Sequence, residues 1–191
     1  MLDAMARVPR ERFIPREADD LAYDDTPLPI GQCQTISAPS MVGIMCQLLD
    51  ITDGCKVLEV GTGLGYHAAI MSILAGSGTV YTVERIPELA EQARKTLHDL
   101  GYNNVKVFLS DGSEGLSDFA PYDRISVAAS APNIPDPLVD QLGDPGLLVL
   151  PVGRYIQELV LVEKKGGRVN TYNKGWVAFV PMLGKYGFES T

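Results

Sequence analysis

Residues 56–65, Lys-Val-Leu-Glu-Val-Gly-Thr-Gly-Leu-Gly, constrain this chain more than any other stretch. Val57, Leu58 and Val60 form an apolar run with few polar interruptions, the pattern of a strand buried on both faces of a parallel sheet. Gly61, Gly63 and Gly65 then stand at alternate positions, and residues 66–74 resume as a helix. Strand, glycine turn and helix together bring backbone close to a ligand at a helix N-terminus, where glycine leaves no Cβ in the way. The spacing also discriminates between ligands. A dinucleotide fingerprint needs a third glycine three residues after the second, and Tyr66 occupies that position. An acid, Glu59, precedes the turn, which favours a cationic or zwitterionic ligand over a pyrophosphate.

Charge and cysteine usage narrow the function classes. A net charge of −8 supplies no basic stripe to neutralise phosphates, so no nucleic-acid partner is expected. With 46% hydrophobic and 21% charged residues the composition is that of a folded globular chain, and 191 residues read as one domain, 1–191. No apolar run is long enough to span a membrane and no charged-then-apolar leader is present, so no membrane partner is expected. Cys33, Cys46 and Cys55 show no CxxC spacing, which argues against a disulfide framework or zinc site and for a reducing, cytoplasmic setting. With only His67 and His98, no metal site is expected.

Along the chain, a short helix ends before Pro9, and a proline-punctuated segment follows. Residues 21–40 hold Pro27 and Pro29 and then a polar run, which forms neither a helix nor a good central strand. This is either a functional loop or a surface connection into a helix capped by Ser37 with Pro39 in its first turn. Residues 41–49 form an amphipathic helix, and 79–84 a β-branched strand ending in Glu84. An acid at the tip of the second strand is placed to accept two ribose hydroxyls, or is simply a solvated strand end. Pro87 opens a helix with Leu89, Ala93, Leu97 and Leu100 on one face, an exposed Glu91–Lys95 pair and Gly101 as its cap. A strand at 105–109 leads to Asp111-Gly112, either a plain turn or part of a ligand rim. Further strands are expected at 123–129, 146–153, 157–163 and 176–182, with a short helix at 137–142 and small residues at 129–132 that leave room beside them. Strand–helix units in alternation followed by two closing strands define a doubly wound, mostly parallel α/β sheet of about seven strands. Its ligand rim collects the glycine turn, Glu84, Asp111 and 129–132.

The Gly-x-Gly-x-Gly turn resembles the first motif of S-adenosylmethionine-dependent methyltransferases, implying the Rossmann-like class I fold. The chain as a whole resembles the protein-L-isoaspartate O-methyltransferases, which repair isomerised aspartyl residues. The likeness rests on residues 5–10, 27–31, 34–39 (Gln-Thr-Ile-Ser-Ala-Pro) and 57–63, then on Glu84-Arg85, Asp111-Gly112, 120–123, 150–153 and 177–181. The Gln-Thr-Ile-Ser-x-Pro stretch is its specific part, since general methyltransferases lack it.

The resemblance implies Ser37 as the active-site serine beside the substrate carboxylate. Cofactor-binding residues implied are Gln34, Thr35, Ile36, Ser37, Glu59, Gly61, Thr62, Gly63, Leu64, Glu84, Arg85, Asp111 and Gly112, with S-adenosyl-L-methionine as cofactor and S-adenosyl-L-homocysteine as product. Glu84 would take the ribose, Asp111 and Gly112 the adenine edge, and the glycines with the 34–37 loop the methionine part. The substrates implied are isoaspartyl-containing proteins and peptides, met by a monomer whose residues 1–50 form the substrate side and 51–191 the cofactor-binding sheet. Departures are a start close to the first motif, where the family usually has a further helix, Cys33 where it commonly has glycine, and Ser40 where histidine or tyrosine is frequent. A carboxyl methyltransferase acting on another peptide or small-molecule carboxylate is the alternative.

Overall fold

The computed structural model describes residues 1–189. Its centre is a seven-stranded sheet in the spatial order β5-β4-β3-β6-β7-β8-β9. In chain order these are β3 (Lys56–Val60), β4 (Thr79–Glu84), β5 (Val105–Leu109), β6 (Tyr122–Val127), β7 (Leu142–Val152), β8 (Gln157–Lys165) and β9 (Arg168–Val177). The first five are parallel, β8 runs antiparallel to them, and β9, antiparallel to β8, returns to their direction. The chain winds outward from β3 to one edge, then returns to its other side as β6. The carboxyl ends of β3 and β6 therefore flank the topological switch point, the place where open α/β sheets bind ligands.

Alternation along the strands feeds two cores. Val57, Val80 and Val149 face one layer, made with α1 (Leu2–Arg7), α2 (Pro39–Leu49), α3 (Tyr66–Ala75) and α4 (Pro87–Asp99). Leu58, Val83, Ile125 and Leu148 face the other, closed by α5 (Asp136–Asp140), Phe119 and Met182. The expected α4 stripe behaves as read: Leu89, Ala93 and Leu97 are buried. Its exposed pairs are Arg94 with Glu91 and Lys95 with Asp99, in place of the expected Glu91–Lys95.

Three elements differ from the sequence reading. The β5–β6 crossover holds two 3-10 turns, Gly112–Glu114 and Ser117–Phe119, and no α-helix, because Gly115 and Pro121 interrupt so short a connection. The final strand is Arg168–Val177, whereas an apolar strand was expected at 176–182. Asp144 accepts the N–H groups of Gly166 and Gly167 at 2.7 and 2.6 Å, which fixes a tight turn and sends the polar stretch back along β8. That strand is exposed on nearly every residue, so it needs no apolar pattern. Residues 178–182 fold over the sheet's carboxyl edge, where Ser130 N donates to Val180 O and Met182 N to Ser130 O, both at 2.8 Å. Finally, the 21–40 segment carries a small separate hairpin, β1 (Leu28–Gly31) with β2 (Gln34–Ile36). Its two-residue turn puts Gln32 and Cys33 at φ +52 and +55, the geometry that favours glycine where Cys33 stands.

Replacing Asp144 with alanine removes both acceptors of the 166–167 turn. Amide hydrogen exchange is expected to speed up across 166–177 and stay unchanged in β3 and β4; uniform protection would show that the hairpin does not depend on that carboxylate.

Candidate active site

A cavity opens at the carboxyl edge of β3, β4 and β6, beside the switch point. The glycine turn is its floor. Gly61 has φ +95, and a Cβ there would meet the Ala128 side chain at 3.4 Å, so both sides of the switch point must be small. Gly63, at φ +53, lies against Ile30, whose Cδ1 would stand 3.2 Å from an added Cβ. Three hydrogen bonds pin the turn to the end of β4: Gly61 N and Thr62 N donate to Val83 O at 2.9 and 3.2 Å, and Gly63 N donates to Glu84 Oε2 at 2.9 Å. Glu84 Oε1 accepts from Arg85 N and Ile86 N at 2.8 and 3.0 Å. The carboxylate is thus fixed by three backbone donors, and one acceptor site, on Oε2, is left on a residue that lines the cavity.

The β1–β2 hairpin forms the opposite wall, through Ile30, Gln34, Thr35 and Ile36, and continues into Ser37. Ser37 does not cap α2, so of the two readings of this stretch the plain capped connection fails. The cap position is Ala38, without a side-chain bond, and Asp25 Oδ1 accepts the first-turn N–H of Ser40 at 2.9 Å. An acid from an earlier loop takes the capping role, and the half-buried Ser37 lines the cavity, its hydroxyl without a hydrogen bond among the described residues. Thr62, Leu64, Arg85 and Gly112 complete the set of expected residues on the lining.

Glu59 and Asp111 stand back from it. Glu59 is fully buried beneath the turn, where Thr82 Oγ1 donates to its Oε2 and the Thr62 and Thr82 hydroxyls meet at 2.6 Å. Its Oε1 lies 3.6 Å from His67 Nδ1 and has no hydrogen-bond partner among the described residues. Burial raises the Glu59 pKa to about 8, only partly offset by the Thr82 hydroxyl, and lowers that of His67 to about 4. At neutral pH this is a carboxylic acid beside a neutral imidazole, not an ion pair. Cys46 closes the row, its Sγ 3.3 Å from His67 Nε2. Asp111 is occupied otherwise: Oδ1 accepts from Ser113 N and Oγ at 2.9 and 2.7 Å, and Oδ2 from Lys185 N at 2.8 Å. It ties the closing segment to the rim and leaves Gly112 as the lining residue.

The sequence reading missed much of the apolar lining. Val42, Tyr66, His67 and Ile86 join it from helices or helix starts, and 180–183 from the segment expected to be a strand. The small pair Ala128 and Ala129 carried a signal, since small residues at a strand's carboxyl end leave room. Tyr66 packs against Phe13 with ring centroids 5.9 Å apart and beneath the buried Arg10 guanidinium at 4.8 Å, so residues 9–13 brace the start of α3. Among the described residues no group of three His, Cys, Asp or Glu side chains is placed to hold a metal, and no helix is long and apolar enough to cross a membrane.

A glycine turn, a clamped carboxylate at the tip of the next strand and small residues across the switch point, on a 5-4-3-6-7-8-9 sheet, define a class I methyltransferase. Residues 1–187 match the sequence profile of the Protein-L-isoaspartate(D-aspartate) O-methyltransferase (PCMT) family, and the chain belongs to that family. It is 72% identical to a protein-L-isoaspartate O-methyltransferase of Methanocella arvoryzae over 97% of this chain and 99% of that one. A solved protein-L-isoaspartate O-methyltransferase superposes with TM-score 0.88 at 29% identity, covering 97% of this chain, which spans 62% of that longer one. A Plasmodium falciparum structure described as a protein-L-isoaspartate O-methyltransferase in complex with S-adenosyl-L-homocysteine gives TM-score 0.86 at 26% identity, over 95% of this chain and 88% of its own.

The raised Glu59 pKa has a signed consequence. Between the unfolded value near 4.5 and the folded value of about 8, the folded state holds a proton that the unfolded state has lost. Below about pH 6.5 the lowered His67 pKa works in the opposite sense, so stability of the ligand-free protein should fall between pH 6.5 and 8, by up to about 1.4 kcal/mol per pH unit from Glu59. Glu59→Gln should flatten that slope in urea denaturation. An unchanged slope in the variant would mean that Glu59 is ionised in the fold.

Proposed function

We propose that this chain transfers the methyl group of S-adenosyl-L-methionine to the free α-carboxyl of L-isoaspartyl residues in damaged proteins and peptides. The observation that carries the reading is one cavity shared by two walls. The glycine turn with Glu84 forms one, and the Gln34-Thr35-Ile36-Ser37 segment forms the other.

The residues present fit the cofactor. Glu84 offers a fixed acceptor for a ribose hydroxyl, Gly61 and Gly63 leave a cradle that side chains would fill, and Gly112 borders the adenine side in place of the engaged Asp111 carboxylate. Glu59 acts from beneath the turn, as a buried acid facing the methionine end through Thr62 and His67. The bound cofactor supplies a methyl group already activated by its sulfonium charge.

The chain's own residues have correspondingly little chemistry to perform. The accepting carboxylate is ionised at neutral pH, so no side chain has to remove a proton from it. His67, buried and neutral, is not required as a base. Ser37 donates a hydrogen bond to the acceptor and orients one oxygen for in-line attack, while Val42, Ile36 and Met182 exclude water from the path. Alignment of this kind supplies up to about 7–11 kcal/mol in the best intramolecular systems.

We read residues 1–50 as the substrate side and 51–191 as the cofactor sheet of a single domain, working as a cytoplasmic monomer without a nucleic-acid or membrane partner. Three free cysteines and a net charge of −8 support this setting. Isoaspartyl proteins and peptides are then its substrates.

Labelled S-adenosyl-L-methionine offered with two synthetic peptides, identical except for isoaspartate or aspartate, tests the activity. Transfer confined to the isoaspartyl peptide is expected; equal transfer to both, or to neither, would contradict it. Ser37→Ala is expected to lower kcat about 10–100-fold while cofactor affinity holds, the loss of one or two hydrogen-bond energies at the acceptor. Unchanged turnover would remove Ser37 from the mechanism.

A further inference from the structure

The turn between β7 and β8 carries Arg154, Tyr155 and Ile156 at the cavity's end of the sheet, because β7 runs parallel to β6 and ends at Val152. Tyr155 is 92% and Ile156 72% exposed, and Trp176, paired with Glu158 across the β8–β9 ladder, is 70% exposed. Large apolar side chains grouped this way in water mark a contact surface more often than chance decoration.

The turn is also firmly held. Gly153 N donates to Ala131 O at 2.9 Å, Ala131 N to Pro151 O at 3.0 Å, and Ser130 Oγ to Gly153 O. Ser130 is also the residue that holds Val180 and Met182 on the cavity wall. The Gln157 side chain adds a second tie, donating to Phe179 O at 3.0 Å and accepting from Phe179 N at 2.6 Å. The Arg154 guanidinium lies 5.9 Å from the Tyr155 ring and 5.5 Å from the Phe188 ring, so a cation is kept between two aromatic faces. The rim is thus tied to the cavity wall, apolar at its tip, and carries one ring-held cation, Arg154.

We infer that Arg154, Tyr155, Ile156 and Trp176 form the docking surface for the polypeptide that flanks the methylated residue, an inference that rests on the isoaspartyl activity proposed above. Such a substrate brings a free carboxylate and neighbours of any sequence. A cavity fitted to the reacting residue cannot hold those neighbours. Exposed aromatic faces and a ring-held arginine can, since they bind apolar side chains, peptide planes and carboxylates without a fixed sequence. A second copy of the chain fits less well. Two-fold antiparallel pairing of β9 centred on Thr171 would set Arg168 against Lys174, like charges face to face.

The test uses the full chain, the double variant Tyr155→Ser/Ile156→Ser, and Trp176→Ser. One isoaspartyl peptide is minimal, with a single glycine on each side; the other is longer, with apolar residues on both sides. The double variant is expected to raise KM for the long peptide about tenfold, the effect of losing one or two aromatic or aliphatic anchors. Its kcat, its KM for the minimal peptide and its S-adenosyl-L-homocysteine affinity should stay at wild-type values, which also reports an intact fold. Trp176→Ser should give a smaller change in the same direction. An unchanged KM for the long peptide, or equal rises for both peptides, would overturn the inference. So would a wild-type dimer in sedimentation that the double variant dissolves, since the patch would then belong to a second copy. Wild-type protein that methylates neither peptide would overturn the activity reading, and the inference with it.

Discussion

The Glu84 carboxylate is the joint on which the site depends. One oxygen takes the Gly63 N–H and the other takes those of Arg85 and Ile86, so a single buried acid fastens the turn after β3 to the turn after β4. Each bond from a backbone donor to an ionised acceptor is among the stronger ones available to a protein. Without this fixture the glycine turn, which has few side chains of its own to pack, would have several backbone conformations open to it. With it, the floor of the cavity and the acceptor for the ribose are positioned by the same group.

The rest of the site is layered around that joint. Beneath it the Thr62, Thr82, Glu59, His67 and Cys46 row is kept neutral by burial, which places a protonated acid under the cavity without a counter-ion. Above it the β1–β2 hairpin brings Ser37 from a part of the chain that contributes nothing to the sheet. Across from it the closing segment is strapped down by Asp111 on one side and Ser130 on the other. Reacting partners that arrive already ionised and already activated need placement more than acid–base help, and the structure spends its polar groups on placement.

Much of this was legible in the sequence where the signal was local. The 56–65 stretch gives strand, turn and helix from residue types alone, and Glu84 follows from strand length. Distance along the chain hid the remainder. The capping role that one of two readings gave Ser37 belongs to Asp25, fifteen residues before the amide it accepts, and no local pattern reports such a bond. An acid beside a glycine turn carries no mark of its burial, so the sequence does not show that Glu59 lies under the turn; only the fold places Thr82 and His67 beside it. Most of β9 escaped because an edge strand open to solvent on both faces has no apolar alternation, while 176–182 looked like a strand and only its first two residues belong to one, 178–182 covering the rim.

The most direct test of this account is a double-mutant cycle between Glu84 and the ribose. Calorimetry would compare S-adenosyl-L-homocysteine with its 2′-deoxy analogue on wild-type protein and on Glu84→Gln. A coupling of about 1–3 kcal/mol is expected, as for a charged hydrogen bond formed in a partly buried site. Additive losses, with no coupling, would contradict the claim that the carboxylate holding the glycine turn is also the group that receives the cofactor.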